Sequence, residues 1–407
     1  MDNKLDNNLT NKLDNKLYVW LYLPQQSAPV LCGMLTLLQG RRCVFAYDAA
    51  WLAHPQAFAL APDMPLHAGQ IEPPAALELH PVFDDAGPDR WGKNIINKVF
   101  NPARSSHLEY LELAGEDRIG ALAFSRSGSA YQVAEQQKFY DANLPDLLQA
   151  AHALQSRMPL DERMSHWLKP GSSAGGAHPK ALLAHEGEAW LAKFPSLEDD
   201  CDVCALEHAS LRLAALCGVL VPRSQLLQIG RQRVLLVKRF DREAGARLHY
   251  ASARTLLLAE GIAEADMAYA DLADLVRRIS RHPLQDCEQL FRRMVLNVML
   301  ENTDDHAKNH AFLWQDNRWC LSPAFDILPQ RQGLGYHSLR IGKLGYEPSP
   351  DNVRSDLARF MLKPDAAERI IGQMREQCRQ WRAVFAEAGV GQHDIEFCAR
   401  YVMRGWA

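Results

Sequence analysis

Asn302-Thr303-Asp304-Asp305-His306-Ala307-Lys308-Asn309, followed after a short apolar run by Ser322-Pro323-Ala324-Phe325-Asp326, is the stretch that decides the fold. Asp304 is followed five positions on by Asn309, and a second carboxylate, Asp326, comes after the intervening run. Phosphoryl-transfer enzymes of the protein-kinase type need those groups in that order. A carboxylate receives the acceptor hydroxyl's proton, then an amide and a second carboxylate hold magnesium on the phosphates of ATP. The spacing implies an ATP-dependent kinase.

The flanking segments agree. Phe291 to Leu300 (FRRMVLNVML) is densely apolar and predicts a buried helix that delivers the polar octapeptide at its C-terminal end. Ala311 to Trp314 and Arg318 to Leu321 flank the turn-like Gln315-Asp316-Asn317, so a short hairpin is expected to carry Asp326 back toward the loop.

Upstream, Gly171 to Lys180 (GSSAGGAHPK) is a small-residue loop whose backbone amides can approach phosphate oxygens closely. It has no Gly-Lys-Ser/Thr ending, which disfavours a P-loop NTPase. Ala181 to Ala184 and Ala189 to Phe194 read as two strands joined at Glu186-Gly187-Glu188. Lys193 then lies in an apolar strand, where an unpaired ammonium is costly, so it needs an anionic partner. Glu207 is the natural one, on a helix over Cys204 to Cys217 that Gly218 stops. The strand Val234 to Lys238 ends in Arg239-Phe240-Asp241-Arg242, a connector whose backbone is expected to read adenine, with Asp241 near the ribose.

Ser173 through Lys180, Lys193-Phe194-Pro195, Lys238 to Arg242, Thr303 to Asn309 and Pro323 to Asp326 together resemble the HipA family of bacterial toxin serine/threonine kinases. Tyr18 to Leu66, Trp91-Gly92 and Asp117 to Leu122 resemble that family's N-terminal subdomain, so the resemblance covers nearly the whole chain. Taken with the segments above, the resemblance implies a two-lobed, protein-kinase-like α/β (α+β) fold. It implies Asp304 as catalytic base, with His306 and Lys308 lining the catalytic loop, and Asn309 and Asp326 as magnesium ligands. It implies an ATP site built from Ser173, Gly175, Gly176, Ala177, Lys180, Lys193, Glu207, Lys238, Phe240 and Asp241. Ser173 matches the family's inhibitory autophosphorylation site, with Ser172 the adjacent alternative. A phosphate there would repel the triphosphate and drive the loop out of the pocket. The resemblance further implies growth inhibition in a toxin and antitoxin pair, a protein substrate such as an aminoacyl-tRNA synthetase, and a DNA-binding HipB-type antitoxin as partner. Asp305 and His178-Pro179 differ from the best-known member of that family.

Blander readings compete at several positions. Asp304 and Asp305 can cap a turn. His306 and His310 have the i, i+4 spacing of a zinc pair, but no Glu occupies the metalloprotease position and Lys308 lies between them. Cys201-Asp202-Val203-Cys204 is a lone CxxC without a second half and reads as free thiols. Lys193 can snorkel, Glu207 can face solvent, and Ser172 and Ser173 can be ordinary loop residues. At the level of function, a small-molecule kinase shares the Asp, Asn, Asp set, and a catalytically inactive module docking to a repressor is the non-enzymatic alternative.

Composition fits an ordinary soluble enzyme: 407 residues, 47% hydrophobic and 23% charged, enough for two or three packed units. A net charge of −4 argues against nucleic acid as the main direct ligand. Nine cysteines without a framework point to a reduced cytoplasm, and the lack of a long apolar run or leader argues against a membrane span or secretory signal.

The expected organisation is a flexible tail over 1–17, a β-rich subdomain over 18–130, a nucleotide-gripping lobe over 131–261 and an all-α lobe over 262–407. The tail repeats a four-residue unit with Leu at 5, 9, 13 and 17, but its Asn and Asp content disfavours a helix. Tyr18 to Leu23, Val30 to Leu38 and Arg42 to Tyr47 read as strands. Phe83 to Gly92 reads as a turn entering a helix, its acids as caps. Ile370, Ile371, Met374, Cys378, Trp381 and Phe385 recur at helical spacing as core packing.

Overall fold

The computed structural model describes residues 15–24, 26–132, 139–169, 178–330 and 335–406. The tail up to residue 14 and the glycine loop over 170–177, with Ser172, Ser173, Gly175, Gly176 and Ala177, lie outside the described residues.

Alternating apolar residues build an N-terminal antiparallel sheet of five strands: Lys16–Leu21, Val30–Leu38, Arg42–Tyr47, Gln70–Ile71 and Leu122–Ser125. The strand Lys16–Leu21 lies between Val30–Leu38 and Leu122–Ser125, so the chain returns after the intervening helices to close this unit. Leu17, Val19, Leu35, Phe45, Trp51 and Phe83 form its core. Lys16 and Leu17 pair with Thr36 and Leu35, which corrects the tail boundary: the sheet takes them up because Leu17 is a core residue.

A second antiparallel sheet has the spatial order Lys180–His185, Glu188–Lys193, Gln232–Lys238, Ser224–Ile229. Its first hairpin turns at Glu186-Gly187, both with positive φ (51° and 76°), as a two-residue turn between right-twisted strands requires. One face carries Ala181, Leu183, Trp190, Ala192, Val234 and Leu236 and is covered by the helix Leu144–Gln155. The other carries Leu235 and Val237 and packs against the helix Val203–Leu216. Gly218, at φ 74°, ends that helix as its position implies.

The C-terminal lobe is built around the helix Pro283–Leu300, on which Tyr269–Ile279 and Pro364–Cys378 pack, while Trp381–Glu387 packs on Val203–Leu216. Ile370, Ile371, Met374, Cys378, Trp381 and Phe385 are all buried there. The hairpin Ala311–Gln315 and Arg318–Leu321 turns at Asp316-Asn317 (φ 47° and 61°), and His249–Ser252 pairs with its first strand. That pairing ties His249–Ser252, which precede position 262, to the hairpin that follows the loop. The molecule is thus a two-lobed, kinase-like α/β fold with an N-terminal β-rich subdomain. Among the described residues no helix is long and apolar enough to cross a membrane.

Candidate active site

The helix Pro283–Leu300 ends at Glu301, which takes a left-handed conformation (φ 56°) and turns the chain into the loop. Along the loop, exposure alternates: Asp304, His306 and Lys308 face out, whereas Thr303, Asp305, Ala307 and Asn309 are buried. A network beneath holds this register. Asn302 donates to Asn297 at 3.1 Å, Asn297 donates to the Tyr269 hydroxyl at 3.0 Å, and that hydroxyl donates to Asp305. The ring of His310 lies 3.1 Å from Asp305. Burial opposes the Asp305 charge, but His310 and these hydrogen bonds outweigh it and hold the carboxyl below its ordinary range.

Asp305 is therefore an anchor, and its neighbour Asp304 stays exposed on the other side of the loop. Burial raises the Asp304 carboxyl above the usual aspartate range; His306 opposes the shift, and the charges of Asp326 and Asp305 add to it. The zinc alternative fails on the same geometry, because His306 is exposed while His310 is buried against Asp305.

Lys193 joins the lobes. Its Nζ donates to both carboxylate oxygens of Glu207, at 2.7 and 2.8 Å, and to Asp326 Oδ1 at 2.7 Å. Burial works against the ammonium, but Asp326 and Glu207 outweigh it and raise its pKa. Lys193 in turn holds the Asp326 carboxyl well below the usual range, whereas burial pushes Glu207 up against the pull of Lys193. Lys180 sits directly across the strand pair from Lys193, hence on the same face, and burial lowers its pKa.

Asn309 Nδ2 donates to the Asp304 carbonyl at 3.4 Å, which leaves the amide oxygen as its remaining ligand atom. An amide oxygen and a charged carboxylate are the hard donors that suit magnesium, so Asn309 and Asp326 fit that ion by chemistry.

Phe240 packs on Phe325, the residue before Asp326, with ring centroids 5.4 Å apart. Two connector residues depart from expectation. Asp241 is buried and its carboxylate accepts from Arg239 (2.8 and 3.0 Å), Arg242 (2.7 Å) and the Gly120 amide (2.7 Å), so it faces the N-terminal subdomain and not a ribose. Lys238 lies opposite Trp190, three residues from Lys193, and so projects from the other face of the sheet, where it pairs with Glu188. Sequence reading misses the partners under the loop, Tyr269, Asn297 and His310. A lone Asn inside the apolar run FRRMVLNVML is the one signal for them, since a buried amide must find a partner.

Comparison with known proteins bears on this arrangement. The chain matches the models of a HipA-like C-terminal domain over residues 172–382 and of a HipA N-terminal domain over residues 27–125. Two Sinorhizobium fredii proteins named as candidate kinases are similar: Y4mE, 24% identical over 70% of this chain and 71% of its own length, and Y4dM, 22% identical over 86% and 88%. Among solved structures, the Shewanella oneidensis toxin–antitoxin complex of HipA, HipB and operator DNA aligns with a TM-score of 0.68 at 18% identity, over 95% of this chain and 94% of that one. The chain belongs to the HipA family.

Proposed function

We propose that this protein is an ATP- and magnesium-dependent serine/threonine protein kinase acting as the toxin of a toxin–antitoxin pair. The observation that carries the reading is the Lys193 ammonium bridging Glu207 and Asp326, beside which the charge of Asp326 adds to the upward shift of the Asp304 carboxyl. Lys193 would contact the ATP phosphates, steadied by Glu207, and Asp304 would orient the acceptor hydroxyl and take its proton. Asn309 and Asp326 would hold magnesium, which supplies charge neutralisation on the phosphates. Lys180 and Phe240 would complete the nucleotide site, and Ser173, with Ser172 the alternative, would be the autophosphorylation site.

The acceptor would be a protein of the translation apparatus, and a DNA-binding HipB-type antitoxin would neutralise the toxin in the cytoplasm. Family membership and the similarity to the HipA chain of the Shewanella complex with HipB and operator DNA support the antitoxin part of that reading, while the acceptor rests on the family resemblance of the sequence.

Asp304→Asn is the direct test. Transfer of label from [γ-32P]ATP to the protein itself and to bands of a cell extract should fall by about 10² to 10⁴ fold, the usual contribution of a general base, with the unfolding midpoint unchanged. A folded Asp304→Asn protein that labels at the normal rate would overturn the assignment. Labelling of small metabolites in place of protein bands would establish the small-molecule alternative.

A further inference from the structure

The acidic segment Phe83 to Gly92 does more than cap helices. It joins two short helices of the N-terminal subdomain, Pro81–Asp85 and Arg90–Val99, and each docks on a different lobe. The first is fixed to the C-terminal lobe: Asp85 accepts from the Ser252 amide at 2.6 Å, the Ser252 hydroxyl at 2.8 Å and the Thr255 hydroxyl at 2.7 Å. The second is fixed to the nucleotide lobe. Trp91 and Ile95 are buried in the core that covers its sheet, and Trp91 Nε1 donates to the Lys180 carbonyl at 3.1 Å.

The joint between the helices is stiff. Asp89 Oδ1 accepts from the amides of Trp91 and Gly92 at 3.0 and 3.2 Å, as an N-cap does. The Gly87 amide donates to the Asp84 carbonyl at 3.0 Å, and buried Arg118 donates to the Ala86 carbonyl at 3.0 Å. Asp84 is thereby held in place beside the catalytic loop. Its Oδ2 lies 3.6 Å from Lys308 Nζ and 3.6 Å from Arg254 Nη1. The Lys308 side chain keeps 48% of its surface exposed, so the ammonium is tethered at the cleft edge without being enclosed.

Resting on the kinase reading above, we infer that Asp84 is a positioning residue for Lys308, and that the Pro81–Val99 pair of helices forms a wall of the cleft spanning both lobes. A free lysine samples many rotamers, and an acid fixed by its own backbone narrows them. Lys308 is then presented next to Asn309 and Asp304, where charge develops during phosphoryl transfer.

ADP formation from magnesium ATP, with casein as acceptor probe, tests this on the full chain. Asp84→Asn should lower kcat roughly fivefold, the scale of one partly exposed ion pair, with KM for ATP changed less than about twofold. Asp84→Glu should restore most of the rate. In a Lys308→Ala background Asp84→Asn should cost nothing further, since the acid acts through that lysine. A wild-type rate in folded Asp84→Asn, or losses that multiply in the double variant, would overturn the inference and leave the kinase reading standing. No ADP from the unsubstituted chain would remove both. If Asp84→Asn lowers the unfolding midpoint, the charge-retaining Asp84→Glu decides: failure to recover rate with a normal midpoint counts against positioning.

Discussion

The loop Asn302 to Asn309 and the connector Lys238 to Arg242 are both short charged segments that follow an apolar element, and they end with opposite uses of charge. In the loop, one acid of a pair is satisfied from below by Tyr269 and His310, and its neighbour Asp304 stays exposed. In the connector, the charges satisfy one another: Arg239, Arg242 and Asp241 close on themselves and on Asp117 of the N-terminal subdomain. Residue type alone does not separate the two. What separates them is whether neighbouring groups leave a polar atom without a structural partner.

Removing the connector's acid gives the largest stability effect expected from that contrast. Asp241→Ala removes the buried carboxylate that Arg239 and Arg242 share and leaves Asp117 alone to face both guanidinium groups, which should cost about 3–5 kcal/mol, read from the denaturant midpoint. The comparison breaks if Asp241→Ala keeps its midpoint and instead weakens ATP binding, for then the connector would be a ribose site after all.

Acid sharpens it further. Burial raises Asp304 above the ordinary carboxylate range, so a base that must be ionised is lost first as pH falls. Burial also opposes the charges of Asp241 and Asp305, but Arg239 and His310 respectively outweigh it and hold both carboxyls down. Their stabilisation is therefore complete above the unfolded pKa of about 3.9 and is lost only below it. Phosphoryl transfer should fall on acidification before the near-ultraviolet circular dichroism changes. Coincident loss of both signals would mean that the two kinds of acid do not differ in this way.

How far the sequence carries follows from the same physics. The hairpins at Glu186-Gly187 and Asp316-Asn317, the Gly218 stop and the Lys193 to Glu207 pair are legible, because turn chemistry, periodicity and the cost of an unpaired ammonium are local or nearly so. The fates of Asp241 and Lys238 are not. The first depends on Gly120 and Asp117, more than a hundred positions away in the chain, and the second on the strand register. Asp84 and Asp85 are hidden in the same way, since their partners Lys308, Ser252 and Thr255 come together only when the lobes are built.

The smallest effect is expected at Lys238, and it tests register directly. Strand neighbours alternate faces, so with Trp190 opposite Lys238 and Leu235 opposite Lys193 the two lysines cannot share a side of the sheet. Lys238 pairs with Glu188, which also meets Arg223, and this cluster lies on the face away from the cleft. Lys238→Ala should change ATP affinity less than about twofold, measured by calorimetry with magnesium present, because a partly exposed ion pair contributes little and none of it reaches the nucleotide. A tenfold loss of ATP affinity would place Lys238 on the nucleotide face, require a one-residue slip of the strand Gln232–Lys238, and send Leu235 and Val237 away from the core they now fill.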